Sequence, residues 1–306
     1  MKAIRLHARG GPESLRFEDA PTPRPGAGEV LVRARAAAVT PTELLWVPTW
    51  ATRARGPRPL PVIPGHEFSG EVAALRAGVT TVGVGEAVYG MNDWFGDGVQ
   101  AEYCLARPAD VARKPASVDH AHAAATPISA LTAWQGLIAR SHLSVRQRVL
   151  IHGAAGGVGV FAVQPARWRG AHVIGTASAT NVAFVRALGA DEVIDYRTRR
   201  FEEVVHGLDV VFDTVGGETL ERSWGILRPG GRLVTIATSG EGSQDPRVRE
   251  AFFIVEANGA QLGEIARLID GGQLRSVVDA IFPLPQARQA YEHRPTHGKV
   301  VLRVTD

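Results

Sequence analysis

The sequence predicts an α/β protein in which a doubly wound parallel sheet stands beside a smaller β-barrel domain. Three observations carry that prediction. The apolar strand pattern Val149–His152 runs into a loop with four glycines in seven positions, 153 to 159, and then into a helix-compatible run, Val160 to Gln164. From residue 149 to residue 257 strand-like and helix-like segments alternate, as they do in a parallel sheet with crossover helices. Before residue 120 the pattern is different: short strands separated by Pro and Gly turns, as in a small barrel.

The glycine loop is the most informative segment. A strand that ends in small residues and turns directly into a helix makes a phosphate cradle. The missing side chains let the backbone approach a pyrophosphate, and the free N–H groups of the first helical turn meet its charge. Gly157-x-Gly159-x-x-Ala162 fits the dinucleotide fingerprint in its Gly/Ala form. A lone match of this kind is weak, so the elements that follow decide its meaning.

They follow in order. His172–Thr176 reads as a second strand, and the helical stretch Asn181–Leu188 stops at Gly189. Glu192–Tyr196 reads as a third strand, Phe201–Val205 as a short helix and Leu208–Thr214 as a fourth strand. A helix through Leu227 is expected to stop at Pro229-Gly230-Gly231, before a fifth strand Arg232–Ala237 and a sixth at Ala251–Glu256. Six such strands complete a Rossmann unit. Pro165 conflicts locally: it removes a helical hydrogen bond and crowds the carbonyl of Phe161, so a kink or an early break is expected there.

In the first part, 29–35, 71–75, 86–89 and 101–105 read as the short strands. After the Rossmann unit come a helix, Gln261–Ile269, and strands at Ser276–Phe282 and Lys299–Val304. The expected division is therefore 1–122 with 258–306 as the catalytic domain and 123–257 as the dinucleotide-binding domain. A cleft between them would hold substrate beside cofactor.

Composition narrows the function class. With 45% hydrophobic and 21% charged residues the chain has the make-up of a globular protein. It contains no apolar run of about 18 residues, so a membrane partner is not expected. Met1–His7 lacks the apolar core of a signal peptide, which makes the cytoplasm the expected location. The net charge is +3 and the basic residues are dispersed, so nucleic acid is not an expected partner either. Only three of the 34 basic residues are lysine: Lys2, Lys114 and Lys299. The single cysteine, Cys104, lies in a strand-like run and reads as a buried thiol.

Several segments together carry a family resemblance. They are Pro64-Gly-His-Glu-Phe-Ser-Gly70 with Gly83–Gly90, Ala125–Trp134, Ala154-Ala-Gly-Gly-Val-Gly159, Leu188–Tyr196 and Phe212–Gly216. In this order and spacing the chain resembles the medium-chain dehydrogenase/reductase superfamily, in its zinc-independent quinone oxidoreductase-like branch. The resemblance implies a GroES-like barrel plus a Rossmann domain, a nicotinamide cofactor and a homodimer paired through the sixth strand.

An NAD-preferring Rossmann domain carries Asp or Glu about 20 residues past the fingerprint. Here that region reads Thr176-Ala177-Ser178, so a 2′-phosphate meets no carboxylate and NADPH is expected. Ser178 and Asn181 could donate hydrogen bonds to it, and matching positions of the branch do so together with the tyrosine at Tyr196. Arg197, Arg199 or Arg200 would supply the positive charge. The full expected cofactor-binding set is Thr132, Ala155, Gly156, Gly157, Val158, Ser178, Asn181, Tyr196, Val215, Ala237 and Phe253.

Zinc members of the superfamily need about three Cys, His or carboxylate ligands. Their first-domain cysteine position falls in Thr40-Pro41-Thr42-Glu43 here, and no second cysteine exists. No metal site is expected, and His66 reads as a hydrogen-bonded turn residue. Substrates with an already activated acceptor carbon suit such a site: quinones or other conjugated carbonyls, which take hydride by proximity in a water-poor pocket. Thr42 and Trp46 are the candidate catalytic residues, Thr42 as a hydrogen-bond donor to the developing oxyanion. Trp46, Trp50, Trp94 and Phe95 are candidate pocket walls. No general acid stands out. The expected function is an NADPH-dependent, zinc-independent oxidoreductase of quinones or α,β-unsaturated carbonyls. The alternatives are an enoyl reductase acting on a thioester or biosynthetic intermediate, and a catalytically silent NADPH-binding regulatory protein.

Overall fold

The fold is taken from a computed structural model that describes residues 1–76, 78–237 and 243–305. It opens with an antiparallel hairpin, β1 (Lys2–Leu6) and β2 (Leu15–Asp19). Next come β3 (Val30–Val39), β4 (Glu67–Leu75), β5 (Ala87–Met91), β6 (Tyr103–Ala106) and β7 (Val111–Arg113). Alternation sets their faces: Val30, Val32 and Ala34 of β3 are fully buried while Leu31, Arg33 and Arg35 are not. The inward side chains meet Phe68, Val72, Val88, Cys104 and Val111 in one core. Cys104 is thus a buried thiol, pushed up to about 12 by desolvation.

The nucleotide-fold sheet is β8 (Arg148–Ile151), β9 (His172–Ala177), β10 (Glu192–Asp195), β11 (Leu208–Asp213) and β12 (Leu227–Thr235). All its pairings are parallel and the spatial order is β10-β9-β8-β11-β12. That is the 3-2-1-4-5 order of a Rossmann sheet. Both faces are covered, which is why its strands are apolar on both sides. Val149 and Ile151 face one core, with Phe161, Val163 and Leu262, and Leu150 faces the other, with Ile174, Val211 and Leu220.

Three expectations are corrected. The helix before β12 ends at Ser223, with a 3₁₀ turn to Ile226, and β12 starts at Leu227, so Pro229-Gly230 lies inside the strand. The sixth strand is reduced to one parallel bridge, Thr235 to Phe252, because the residues before it form a helix, Pro246–Ala251, capped by Asp245. The helix after the glycine loop is not broken at Pro165 but runs from Gly157 to Trp168. Pro165 is four residues from its end, so only the Phe161 carbonyl loses its helical donor. The Arg169 N–H still reaches the Pro165 carbonyl at 2.9 Å.

The chain then returns to its first sheet. The helix Gly259–Asp270 is capped by Asn258 and buries Leu262, Ile265, Ala266 and Ile269, one amphipathic stripe. Strands β13 (Val278–Pro283) and β14 (Lys299–Arg303) follow, and β14 pairs antiparallel with β3. The first sheet therefore has the order β13-β14-β3-β4-β5-β7, with β6 also on β3. One phenol and one indole tie the first part of the chain to the segment that follows β12: Tyr89 Oη donates to the Leu262 carbonyl at 2.6 Å and Trp94 Nε1 to the Val255 carbonyl at 3.1 Å.

Candidate active site

The glycine loop and the ends of the parallel strands form one side of the cleft, outside the strands' carboxyl ends where open α/β sheets bind ligands. Gly153 has φ +66°, a conformation side chains rarely adopt, and this turn lets the chain leave β8 sharply. At Gly159 a Cβ would stand 2.1 Å from the Gly153 carbonyl oxygen, so only glycine permits the helix to pass so close to the loop. Among the described residues the backbone N–H groups of Ala155, Gly157, Val158 and Gly159 have no partner in the chain. Four unpaired donors at the start of a 12-residue helix make an anion cradle. The residues present fit a dinucleotide pyrophosphate.

The remaining expected cofactor residues are placed as follows. Ser178 follows β9 directly, and its Oγ shares a hydrogen bond of 3.0 Å with Thr180 Oγ1. No carboxylate stands between β9 and Asn181. Tyr196 follows β10, is largely exposed, and has the Arg197 guanidinium 5.8 Å from its ring centroid. Arg200 is taken by Glu202 at 2.7 Å, which leaves Arg197 and Arg199 as the cations nearest the ribose end. Val215 follows β11 with its side chain exposed, while its N–H donates to Asp213 Oδ1 at 3.0 Å. Ala237, exposed after β12, donates its N–H to Thr235 Oγ1 at 3.2 Å. Two residues point elsewhere. The Thr132 hydroxyl donates back to the Ile128 carbonyl of its own helix at 2.6 Å, and the Phe253 side chain is buried in the core beneath Arg140.

The carboxy-terminal segment of the first sheet closes on this loop. The Gly298 N–H donates to the Ala155 carbonyl at 3.1 Å, and Asn181 Nδ2 donates to the Thr296 carbonyl at 3.1 Å. The His297 ring lies 4.2 Å from that of Phe184. The next residue is Lys299, whose Cδ lies 2.9 Å from where a Gly157 Cβ would be.

Lys299 leads into the opposite side of the cleft, a floor of buried charge. Its Nζ stands 2.5 Å from Glu67 Oε1 and donates to Thr40 Oγ1 at 2.9 Å, with both charged side chains nearly inaccessible. Glu67 Oε2 accepts the Ile128 N–H at 2.9 Å, at the start of the helix Pro127–Trp134. Behind the pair lies Glu43, whose Oε1 accepts from the Gly65 N–H at 2.6 Å and from Tyr291 Oη at 2.7 Å. Its Oε2 is buried with no partner among the described residues. Burial pushes Glu43 up to about 7, although the Tyr291 and Gly65 hydrogen bonds and the Lys299 charge pull it down.

An aromatic wall rises from this floor. His66 packs 5.0 Å from Trp94, and Trp94 packs 5.2 Å from Trp46, both edge-on. Asn92 donates through Nδ2 to the Asp97 carbonyl, so its Oδ1 accepts from His66 Nδ1 at 2.9 Å. Burial lowers His66 to about 4, so it is neutral, with Nε2 left as an acceptor. Two expected wall residues are otherwise engaged. Trp50 packs into the hairpin core with Nε1 on the Leu44 carbonyl, and Phe95 is covered by Arg53 at 5.0 Å. Thr42 is exposed on the turn Pro41–Leu45; the hydroxyl that meets the buried cation is Thr40.

Comparison with known proteins fits this geometry. Residues 26–116 match the family model described as alcohol dehydrogenase GroES-like domain, and residues 188–302 match that of zinc-binding dehydrogenase. A probable zinc-binding oxidoreductase, mitochondrial, of Arthroderma benhamiae is 32% identical over 95% of this chain and 93% of its own. The chain belongs to the medium-chain dehydrogenase/reductase superfamily. Its place in the quinone oxidoreductase-like branch follows from the quinone oxidoreductase structure of Coxiella burnetii, with TM-score 0.90 and 30% identity over 100% of this chain and 99% of that one. An NADPH-dependent alkenal/one oxidoreductase, chloroplastic, of Arabidopsis thaliana is 30% identical over 99% of this chain and 79% of its own. As a member of the superfamily this chain is an oxidoreductase that uses a nicotinamide cofactor. No helix among the described residues is long and apolar enough to cross a membrane.

Proposed function

We propose that this dehydrogenase/reductase is an NADPH-dependent, metal-free reductase of quinones or α,β-unsaturated carbonyls. The observation that carries the reading is the cation at the cleft floor: it is an ammonium, Lys299, held between Thr40 and Glu67.

The family-model description and the relative's name raise zinc, and the donors here do not fit it. Among the described residues no three His, Cys, Asp or Glu side chains gather where a metal could bind. Glu67 is committed to Lys299 and the Ile128 N–H, His66 Nδ1 to Asn92, and Cys104 lies in the barrel core. Without a Lewis acid, an isolated ketone is poorly polarised. A conjugated acceptor needs less, and two of the relatives are named for quinone and alkenal/one reduction.

The bound cofactor would supply a hydride. The chain's own residues do the rest. The loop N–H groups of Ala155, Gly157, Val158 and Gly159 hold the pyrophosphate, and the region after β9 offers Ser178 and Asn181 to a 2′-phosphate with no carboxylate to repel it. The Trp46–Trp94 wall stacks a flat acceptor and excludes water, and the Thr40–Lys299 pair faces the charge that develops on its oxygen. The same reading extends to a homodimer joined along the edge beyond β12, where Ile254 is exposed.

Steady-state NADPH oxidation against a panel of quinones and enones, with and without a chelator, tests this. The expected result is turnover that prefers NADPH to NADH and ignores the chelator. Tight NADPH binding with no turnover on either class would replace the enzyme with a silent nucleotide-binding protein, and chelator inactivation would restore a metal.

A further inference from the structure

Reduction of a conjugated carbonyl needs a proton as well as a hydride, and besides the Lys299–Glu67 ion pair four polar side chains stand at or beside the cleft floor. Three are unsuited to give one. His66 is neutral, its one N–H donates to Asn92, and its other nitrogen is an acceptor. Tyr291 is buried and donates to Glu43. Glu43 is 1% exposed, its Oε1 held by Tyr291 and Gly65 and its Oε2 buried away from solvent. The fourth differs. Thr40 is half-buried at the end of β3, and its oxygen accepts from Lys299, whose stem passes beside Gly157 of the cofactor loop. Among the described residues its own O–H has no acceptor. A hydroxyl that only held the fold together at a buried ion pair would have that proton placed as well.

We propose that Thr40 is the catalytic acid of the reduction and that the Lys299 ammonium recharges its hydroxyl; this rests on the functional reading above. Hydride addition at the β-carbon breaks the carbon–carbon π bond and leaves the electron pair on the carbonyl oxygen. The Thr40 O–H bond then breaks, its proton forming a new O–H bond on the substrate, while one Lys299 N–H bond breaks to restore the Thr40 hydroxyl. Lys299 is left as the neutral amine and regains its proton from water once product has gone. The enol so formed then tautomerises in water, a C–H bond forming at the α-carbon as the O–H proton is lost to solvent. The net reaction consumes the enone, one reduced nicotinamide and one proton, and yields the saturated carbonyl and oxidised nicotinamide. Glu67 acts as a positioning residue: its carboxylate, fixed by the Ile128 N–H, holds the ammonium within reach of Thr40.

The test compares Thr40→Val, Thr40→Ser and the double variant Glu67→Gln/Lys299→Met, which avoids an unpaired buried charge. Each is assayed for kcat with an enone and with a quinone, for the solvent deuterium isotope effect, and for NADPH affinity by fluorescence titration. Reduced quinone spreads its negative charge over an aromatic ring and depends less on an internal acid. Thr40→Val is therefore expected to lower enone kcat about 100-fold and quinone kcat about tenfold or less, the size of a general-acid contribution. The isotope effect on the enone should rise, KM should change little, and Thr40→Ser should restore most of the loss. The double variant should follow Thr40→Val, with its NADPH dissociation constant within about threefold of wild type. Equal losses on both acceptors, no rescue by serine, or a large loss of NADPH affinity in the double variant would overturn the proton role. Failure of the wild type on both acceptors would instead remove the functional reading, and this role with it.

Discussion

The two sides of the cleft are built from different materials. The Rossmann side offers backbone: unpaired N–H groups of Ala155, Gly157, Val158 and Gly159, arranged by glycines that a side chain would displace. The opposite floor offers buried side-chain charge: Glu43, Glu67 and Lys299, with Tyr291 and Thr40 around them. Backbone donors keep their position without any desolvated charge, so they cost the fold little. A buried ion pair is a standing liability that is offset only while both partners are present. Unpairing a buried charge on the floor should therefore cost stability, whatever it does to turnover, whereas substitutions at the loop should act mainly on ligand affinity.

The largest effect expected is at the floor. Lys299→Met leaves the Glu67 carboxylate buried and should lower stability in urea unfolding by about 3–5 kcal/mol. Glu67→Gln in the same chain should recover a good part of that loss. A single variant as stable as wild type would mean that the floor is no more demanding than the loop, and the contrast would be gone.

Glu43 sharpens the same contrast through pH. Its folded value of about 7 lies above the ordinary 4.5, because burial favours the neutral acid. The stability it contributes is therefore full below pH 4.5 and is lost as pH rises through 7, after which it stays flat. At about 1.4 kcal/mol per unit, the loss is about 3 kcal/mol. His66, lowered from 6.5 to about 4 by burial, has the opposite sign: its contribution is full above pH 6.5 and lost as pH falls toward 4. Glu43→Gln isolates the first effect. The stability of the variant relative to wild type should rise by about 2–3 kcal/mol between pH 5 and pH 8. A difference that does not change with pH would show that Glu43 stays ionised.

These two sides were not equally legible in the sequence. The glycine loop is written in one short segment, since its spacing, its strand and its helix are neighbours and its geometry is local. The absence of a carboxylate after β9 could be read in the same way. The floor joins Thr40 and Glu43 of one segment to Glu67, Tyr291 and Lys299 of three others, and nothing local to any segment announces the rest. The sequence points to Thr42 as the hydroxyl donor, whereas Thr40, two residues earlier, is the one that the fold brings to the cation. One signal was present. In a chain whose basic residues are almost all arginine, Lys299 stands out, and a compact ammonium fits a narrow buried site that a guanidinium would overfill. Pro165 and the sixth strand misled for a related reason. Propensity disfavours a proline in a helix, but four residues from the end the cost is one hydrogen bond. The apolar run Ala251–Glu256 had the strand pattern, yet the Asp245-capped helix consumed its start.

At the loop the expected pattern reverses. Gly157→Asp places a carboxylate among the unpaired N–H groups, where it competes with a pyrophosphate and repels it. Its Cβ would stand 2.9 Å from Lys299 Cδ, so the lysine stem must give way there, and 3.5 Å from the Gly298 carbonyl oxygen, an ordinary contact. NADPH affinity, read by fluorescence titration, should fall about 100-fold, which corresponds to about 2.7 kcal/mol. Stability should change by less than it does in Lys299→Met. Unchanged affinity would remove the loop as the pyrophosphate site.

The smallest effect expected is one of discrimination at the end of β9. Ser178 lies where a ribose-binding carboxylate would stand, and its hydroxyl is held only by Thr180 at 3.0 Å. Ser178→Asp adds an acceptor for the ribose hydroxyls and a charge that repels a 2′-phosphate, while Asn181 remains tied to the Thr296 carbonyl and Arg197 stays over Tyr196. Those neighbours retain part of the preference for NADPH. The NADPH to NADH ratio of kcat/KM should therefore fall about tenfold, or about 1.4 kcal/mol, rather than invert completely. An unaltered ratio would place the 2′-phosphate elsewhere, with Arg199, whose guanidinium has no partner among the described residues, as the next position to substitute.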